Sequence, residues 1–136
     1  MSGPLRKIKT ALVPIGAGTD EQTALTLAQA IAGEVILVGL ALIPAGEPVS
    51  AGTQTARQIR KRLLSLSSPS IRFKSTVIVS ETPWKDLQSV IAHEKPNLFI
   101  IEWKDGQTSC GIPIADVLSN SLCNVAIVRG ASPIKL

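Results

Sequence analysis

Five short apolar runs, each joined to the next by one helical stretch, leave this chain few folds to adopt. The runs cover residues 9–15 (KTALVPI), 35–42, 71–79, 97–103 and 124–129. Residues 35–42 are apolar almost without interruption, as expected of a strand covered on both faces of a parallel sheet. Residues 71–79 alternate instead, with Ile71, Phe73, Ser75, Val77 and Val79 on one side, which suits a strand nearer an edge. Helical signals lie between the runs. Thr19 and Gln22 have capping-box spacing, Ala24, Leu25, Ala28, Ile31 and Ala32 share one helical face, and Gly33 supplies a stop. A second helix is expected over 54–66, with Ala56, Ile59, Leu63 and Leu66 as its buried stripe. Thr82 and Pro83 read as an N-cap and first helical position, with Trp84, Leu87 and Ile91 inward and an end before Pro96. A short last helix begins at Pro113 and buries Ile114, Val117 and Leu118.

The order β-α-β-α-β-α-β-α-β, with short connections, predicts a Rossmann-like α/β fold. Right-handed crossovers make it an open, doubly wound, five-stranded parallel sheet with helices on both faces. Periodicity does not choose the strand order. Any such sheet opens a ligand crevice at the carboxyl ends of its strands, where the winding reverses. With 136 residues, a single domain over 1–136 is expected, with short tails at 1–8 and 131–136.

Composition narrows the functional classes. A chain that is 45% hydrophobic and 18% charged is not disordered. Its longest apolar stretch, 35–46, is broken by Pro44 and too short to span a bilayer, so no membrane insertion by this segment is expected. The basic N-terminus leads into no signal-peptide block, and Cys110 and Cys123 lack metal-ligand spacing. A reduced, cytoplasmic setting is the simplest reading. The net charge is +4, with clusters at Arg57, Arg60, Lys61 and Arg62 and at Arg6, Lys7 and Lys9. With two Trp, two Phe and no Tyr to interleave, these read as solvated faces rather than a nucleic-acid stripe.

No catalytic constellation stands out. His93, the only histidine, sits at a helix end where the dipole favours it. Cys110 precedes a helix start, and Cys123 reads as packing. No paired carboxylates on one face, GxSxG or metal cluster accompanies them, so no enzyme is expected. The turn after the first run, GAGTDE at 16–21, starts like GxGxxG but carries Glu21 at the third glycine. Asp20 and Glu21 read as first-turn helical residues that suit the dipole and repel a phosphate. Gly16 and Gly18 therefore read as a sharp corner.

Residues 11–32 (ALVPIGAGTDEQTALTLAQAIA) and 111–130 (GIPIADVLSNSLCNVAIVRG) resemble the opening strand–helix pair and the ending of the universal stress protein family. Gly111, Val117, Leu118, Cys123 and Val125 fall in register, and NLFIIEWK at 97–104 sits where the family has DLIVMG. The resemblance implies strand order 3-2-1-4-5 and a crevice between the first and fourth strands, where many members bind ATP. An Asp ending the first strand and a G-2x-G-9x-G-(S/T) loop after the fourth serve that site. Here Gly16 replaces the Asp. Glu102 and Asp105 stand at the first two motif glycines, five residues rather than nine separate Asp105 from Gly111, and Ile112 replaces the hydroxyl residue. The departures imply a regulatory or binding domain without ATP or other cofactor. It would act through a protein partner or a homodimer, paired along the last strand at Val125, Ile127 and Arg129. The alternative is a divergent sensor of AMP or Mg-ATP. That ligand would lie along Pro14, Gly16, Ala17, Gly18, Leu42, Gly106, Ser109, Gly111 and Ile112, with Trp103 stacking on it, and weak hydrolysis would not be required. A third reading is the cytosolic regulatory domain of a larger protein, such as a transporter.

Overall fold

The computed structural model describes residues 8–16, 21–43, 46–48, 50–66, 72–104, 107–108, 115 and 123–129. Five parallel strands form the sheet: β1 (Ile8–Ile15), β2 (Ala32–Leu42), β3 (Arg72–Ser80), β4 (Leu98–Lys104) and, after a two-residue strand β5 (Gln107–Thr108), β6 (Asn124–Arg129). Their spatial order is β3-β2-β1-β4-β6, the expected 3-2-1-4-5 of the five long strands. Three helices join them: α1 (Gln22–Ile31), α2 (Ser50–Leu66) and α3 (Pro83–Glu94). Of the helix expected after Pro113 only Ala115 is described, helical and exposed; Ile114, Val117 and Leu118 lie outside the described residues.

Strand alternation builds two cores. Ala11, Val13, Ile15, Val35, Leu37 and Ile100 face α1 and α2, where Ala24, Ala28, Ile59 and Leu63 meet them. Leu12, Ile36, Val38, Phe99 and Ile101 face α3, meeting Trp84, Leu87 and Ile91. A slip of one residue in β1 or β2 would exchange the two sets, so packing on both faces pins the register. Trp84 stacks on Phe99 at 6.0 Å between ring centroids, joining α3 to the centre of the sheet.

Several element ends differ from the sequence reading. The N-cap of α1 is Glu21, not Thr19, and no side chain of its own caps it. Gly33 does not stop the helix. α1 ends at Ile31, Ala32 is already extended, and β2 starts there because pairing from Ala32 to Ile8 captures the chain. α2 begins at Ser50, four residues before the expected start. Its early turn contains Gly52, which lets the helix approach the sheet: a Cβ there would sit 2.7 Å from Val79 Cγ1. Gly39 serves the same purpose in β2, where a Cβ would overlap Ile59 Cγ2. Ile59 is fully buried and has no room to turn away. Gly39→Ala should therefore destabilise the fold by about 1.5 kcal/mol, read as a lower urea midpoint at unchanged slope.

Candidate functional site

The carboxyl ends of β1 and β4 form the place where the winding of the sheet reverses. The two strands are tied at their other ends. Asn97 N–H donates to Thr10 O at 2.9 Å, and Thr10 N–H donates back to Asn97 Oδ1 at 3.0 Å. Pairing continues through Ala11 with Leu98 and Leu12 with Phe99 and then stops. Beyond it, Val13–Gly16 and Ile100–Lys104 are not paired with each other, at the point where the chain winds from β1 toward β2 and from β4 toward β6.

Three features of this chain occupy the opening. The first is Glu102, which points to the same face as Ile100 and is only 2% exposed. Its Oε1 accepts the backbone N–H of Ala24 at 2.8 Å, the third residue of α1. A helix starts with N–H groups that lack partners inside it, and a negative charge there also meets the positive end of the dipole. Glu102 thus supplies from 78 positions away the cap that Glu21 does not make locally.

The second is Arg62, from α2. Its Nη1 donates to Gly16 O at 2.9 Å and to Glu21 Oε1 at 2.6 Å. These acceptors bracket residues 17–20, so one guanidinium holds both ends of the GAGTDE turn. The Glu21 side chain is 1% exposed and that of Arg62 23%, which makes this a largely desolvated ion pair. Glu21 therefore precedes the helix and serves an internal cation, rather than lying in the first turn as the sequence reading had it.

The third is β5. Thr108 pairs antiparallel with Trp103 and Gln107 with Lys104. Trp103 also pairs with Arg129 of β6, and β6 runs along one edge of β4 from Leu98 onward. A strand has two edges, so β5 lies on the β1 edge, where β1 has already parted from β4.

Of the residues named for a nucleotide, Pro14 and Gly16 are buried at the end of β1, Leu42 is 57% exposed at the end of β2, and Trp103 is half-buried. Ala17, Gly18, Gly106, Ser109, Gly111 and Ile112 lie outside the described residues, as does Cys110. On β6, Val125 is half-buried while Ile127 and Arg129 are exposed. Cys123 packs against the α3-side core, and burial pushes its thiol above the usual range. His93 is exposed in the last turn of α3. Among the described residues, no group of His, Cys, Asp and Glu is placed to hold a metal, and no helix is long and apolar enough to cross a membrane.

The sequence reading missed the pairing of Arg62 with Glu21 and the capping by Glu102. Both had a signal. Arg62 stands beside Leu63 at the border of the buried stripe of α2, and Glu102 is the one charge within the apolar run 97–103.

A solved structure has a similar overall fold. A universal stress protein family protein from Arabidopsis thaliana, with AMP bound, matches over 91% of this chain and 93% of its own, with a TM-score of 0.63 and 10% sequence identity. The chain has the universal stress protein fold. A universal stress protein in complex with cAMP covers 91% of this chain and 98% of its own at 16% identity, with a TM-score of 0.45. No protein-family model matches the sequence, and no curated protein does. The likeness of the universal stress protein fold is one of architecture, and function has to be argued from the crevice.

Proposed function

We infer that this chain is a universal stress protein-like regulatory or binding domain that holds no ATP and works through a homodimer or a protein partner. The observation that carries this reading is the Glu102 carboxylate on Ala24 N–H. In a doubly wound fold the start of the first helix is where backbone N–H groups would meet a phosphate. A built-in carboxylate takes that role and repels a second anion. The clamp of Arg62 on Gly16 O and Glu21 supports the same conclusion, since it commits the nearby cation internally. A cytoplasmic setting follows from the reduced-cysteine reading.

The divergent AMP or Mg-ATP sensor has one observation in its favour: the solved structure of similar fold has AMP bound. Calorimetric titration with Mg-ATP and then AMP separates the two. No heat and an unchanged Tm are expected; micromolar binding would make the sensor reading the better one. The regulatory domain of a larger protein remains a variant of the first reading.

The homodimer is drawn from β6, which ends the sheet with Ile127 42% exposed and its outer edge unpaired among the described residues. Such an edge needs a cover. Sedimentation equilibrium should give a dimer, and Ile127→Asp should weaken it about a hundredfold, since two symmetry-related apolar contacts become buried charges. A wild-type monomer at high concentration would remove the dimer from the proposal.

A further inference from the structure

The opposite edge of the sheet carries a different chemistry. Between Glu47 and Glu81 the chain holds six of its fourteen basic residues and none of its ten acidic ones, which makes this α2–β3 unit +6 and the remainder −2. Arg62 is turned inward to Glu21. Arg57, Arg60, Lys61 and Leu64 are all exposed and fall at i, i+3, i+4 and i+7, one continuous stripe of α2. Leu64 is 75% exposed, the most exposed large hydrophobic side chain among the described residues.

That stripe borders β3. A groove of about 400 Å³ runs between them, lined by Arg60, Leu63, Leu64, Thr76 and Val77. β3 pairs with β2 from Arg72 to Ser80, and its outer edge is unpaired among the described residues. An unpaired strand edge presents a row of N–H and C=O groups, and a leucine beside it offers a seat for an apolar side chain. Cations flank both.

We propose that the β3 edge and the groove beside it dock an extended acidic segment of a partner protein, which adds to the sheet as a strand. Its backbone pairs with β3, an apolar side chain enters the groove against Leu63 and Leu64, and its carboxylates meet Arg57, Arg60 and Lys61. A nucleic acid fits less well: its phosphates would use the cations but leave the leucine and the strand edge unused. Phe73 is the only aromatic between Glu47 and Glu81, too few for the succession of stacking side chains that a single-stranded nucleic acid uses. The proposal is independent of the nucleotide question, since the groove lies across two strands from the β1–β4 crevice.

The test is fluorescence anisotropy with a labelled nine-residue peptide alternating glutamate with valine. Three controls accompany it: an all-glutamate peptide, the alternating peptide N-methylated at every second residue, and an oligouridylate. Binding of the alternating peptide is expected, falling as salt rises, with little binding of the three controls. Leu64→Ser and Arg60→Glu should each weaken it about tenfold or more. Both positions are solvent-facing, and an unchanged Tm will show that the variants are folded. Equal binding of the all-glutamate peptide or the oligouridylate would reduce the surface to unspecific charge attraction. Equal binding of the methylated peptide would exclude strand addition. Absence of binding by the alternating peptide would overturn the proposal outright.

Discussion

Replacing Arg62 with alanine is expected to lower stability by about 3 kcal/mol, a fall in Tm of roughly 10 °C for a chain of this size. The effect is large because of what stays behind. The Glu21 side chain is 1% exposed, so its carboxylate would keep its burial and lose the guanidinium 2.6 Å away. Gly16 O would lose the same donor. A surface ion pair of equal length would contribute a fraction of this, because water would replace the partner. The control is the double variant Arg62→Met with Glu21→Leu, which removes both charges and keeps most of the apolar volume. It should be closer to wild type than Arg62→Ala is, since an apolar pair leaves no charge uncompensated. If instead the single-variant losses simply add, the pair is not coupled and the clamp on the turn is not what holds it.

Glu102→Ala should destabilise by about 2.5 kcal/mol, combining the lost charge-assisted hydrogen bond, an uncapped helix start and a small void at the end of β4. Glu102→Gln, which keeps the shape and an acceptor but removes the charge, should cost about 1 kcal/mol. Denaturant melts of both variants read these values. Binding gives the second readout. If the carboxylate stands in for a ligand's anion, Glu102→Gly should gain AMP binding, seen as a Tm that rises with AMP while that of the wild type does not. A destabilised Glu102→Gly that ignores AMP would show that Glu102 is a structural cap and that the crevice is closed by other means, with β5 first among them.

Much of the fold was legible in the sequence because it rests on local rules. Residues 35–42 announce a doubly covered strand, and Val35 and Leu37 do face one helical layer while Ile36 and Val38 face the other. Thr82 and Pro83 mark the start of α3, and Pro96 follows its end. The mismatches have non-local causes. Gly33 has the chemistry of a helix stop, yet pairing with β1 draws the chain into β2 one residue earlier. Gly52 looks like a helix breaker and instead lies inside α2, because the helix must come close to Val79.

The candidate site divides the same way. Sequence alone determined that a crevice would lie at the carboxyl ends of the strands where the winding reverses, because crossover handedness and the alternation of elements require one; the family resemblance added the strand order 3-2-1-4-5, which is the observed one. Set against the family motif, it also showed that two of the three motif glycines are replaced, by Glu102 and Asp105, while Gly111 is kept. Only the tertiary structure decided what those substitutions do. Glu102 caps a helix that begins 80 positions earlier in the chain, at Gln22, and Arg62 reaches back to Gly16 and Glu21. These contacts join residues more than 40 apart, and no local pattern encodes the distance between them. A buried charge finds whichever partner the packing brings within reach, and that is settled when the sheet and its helices close on one another.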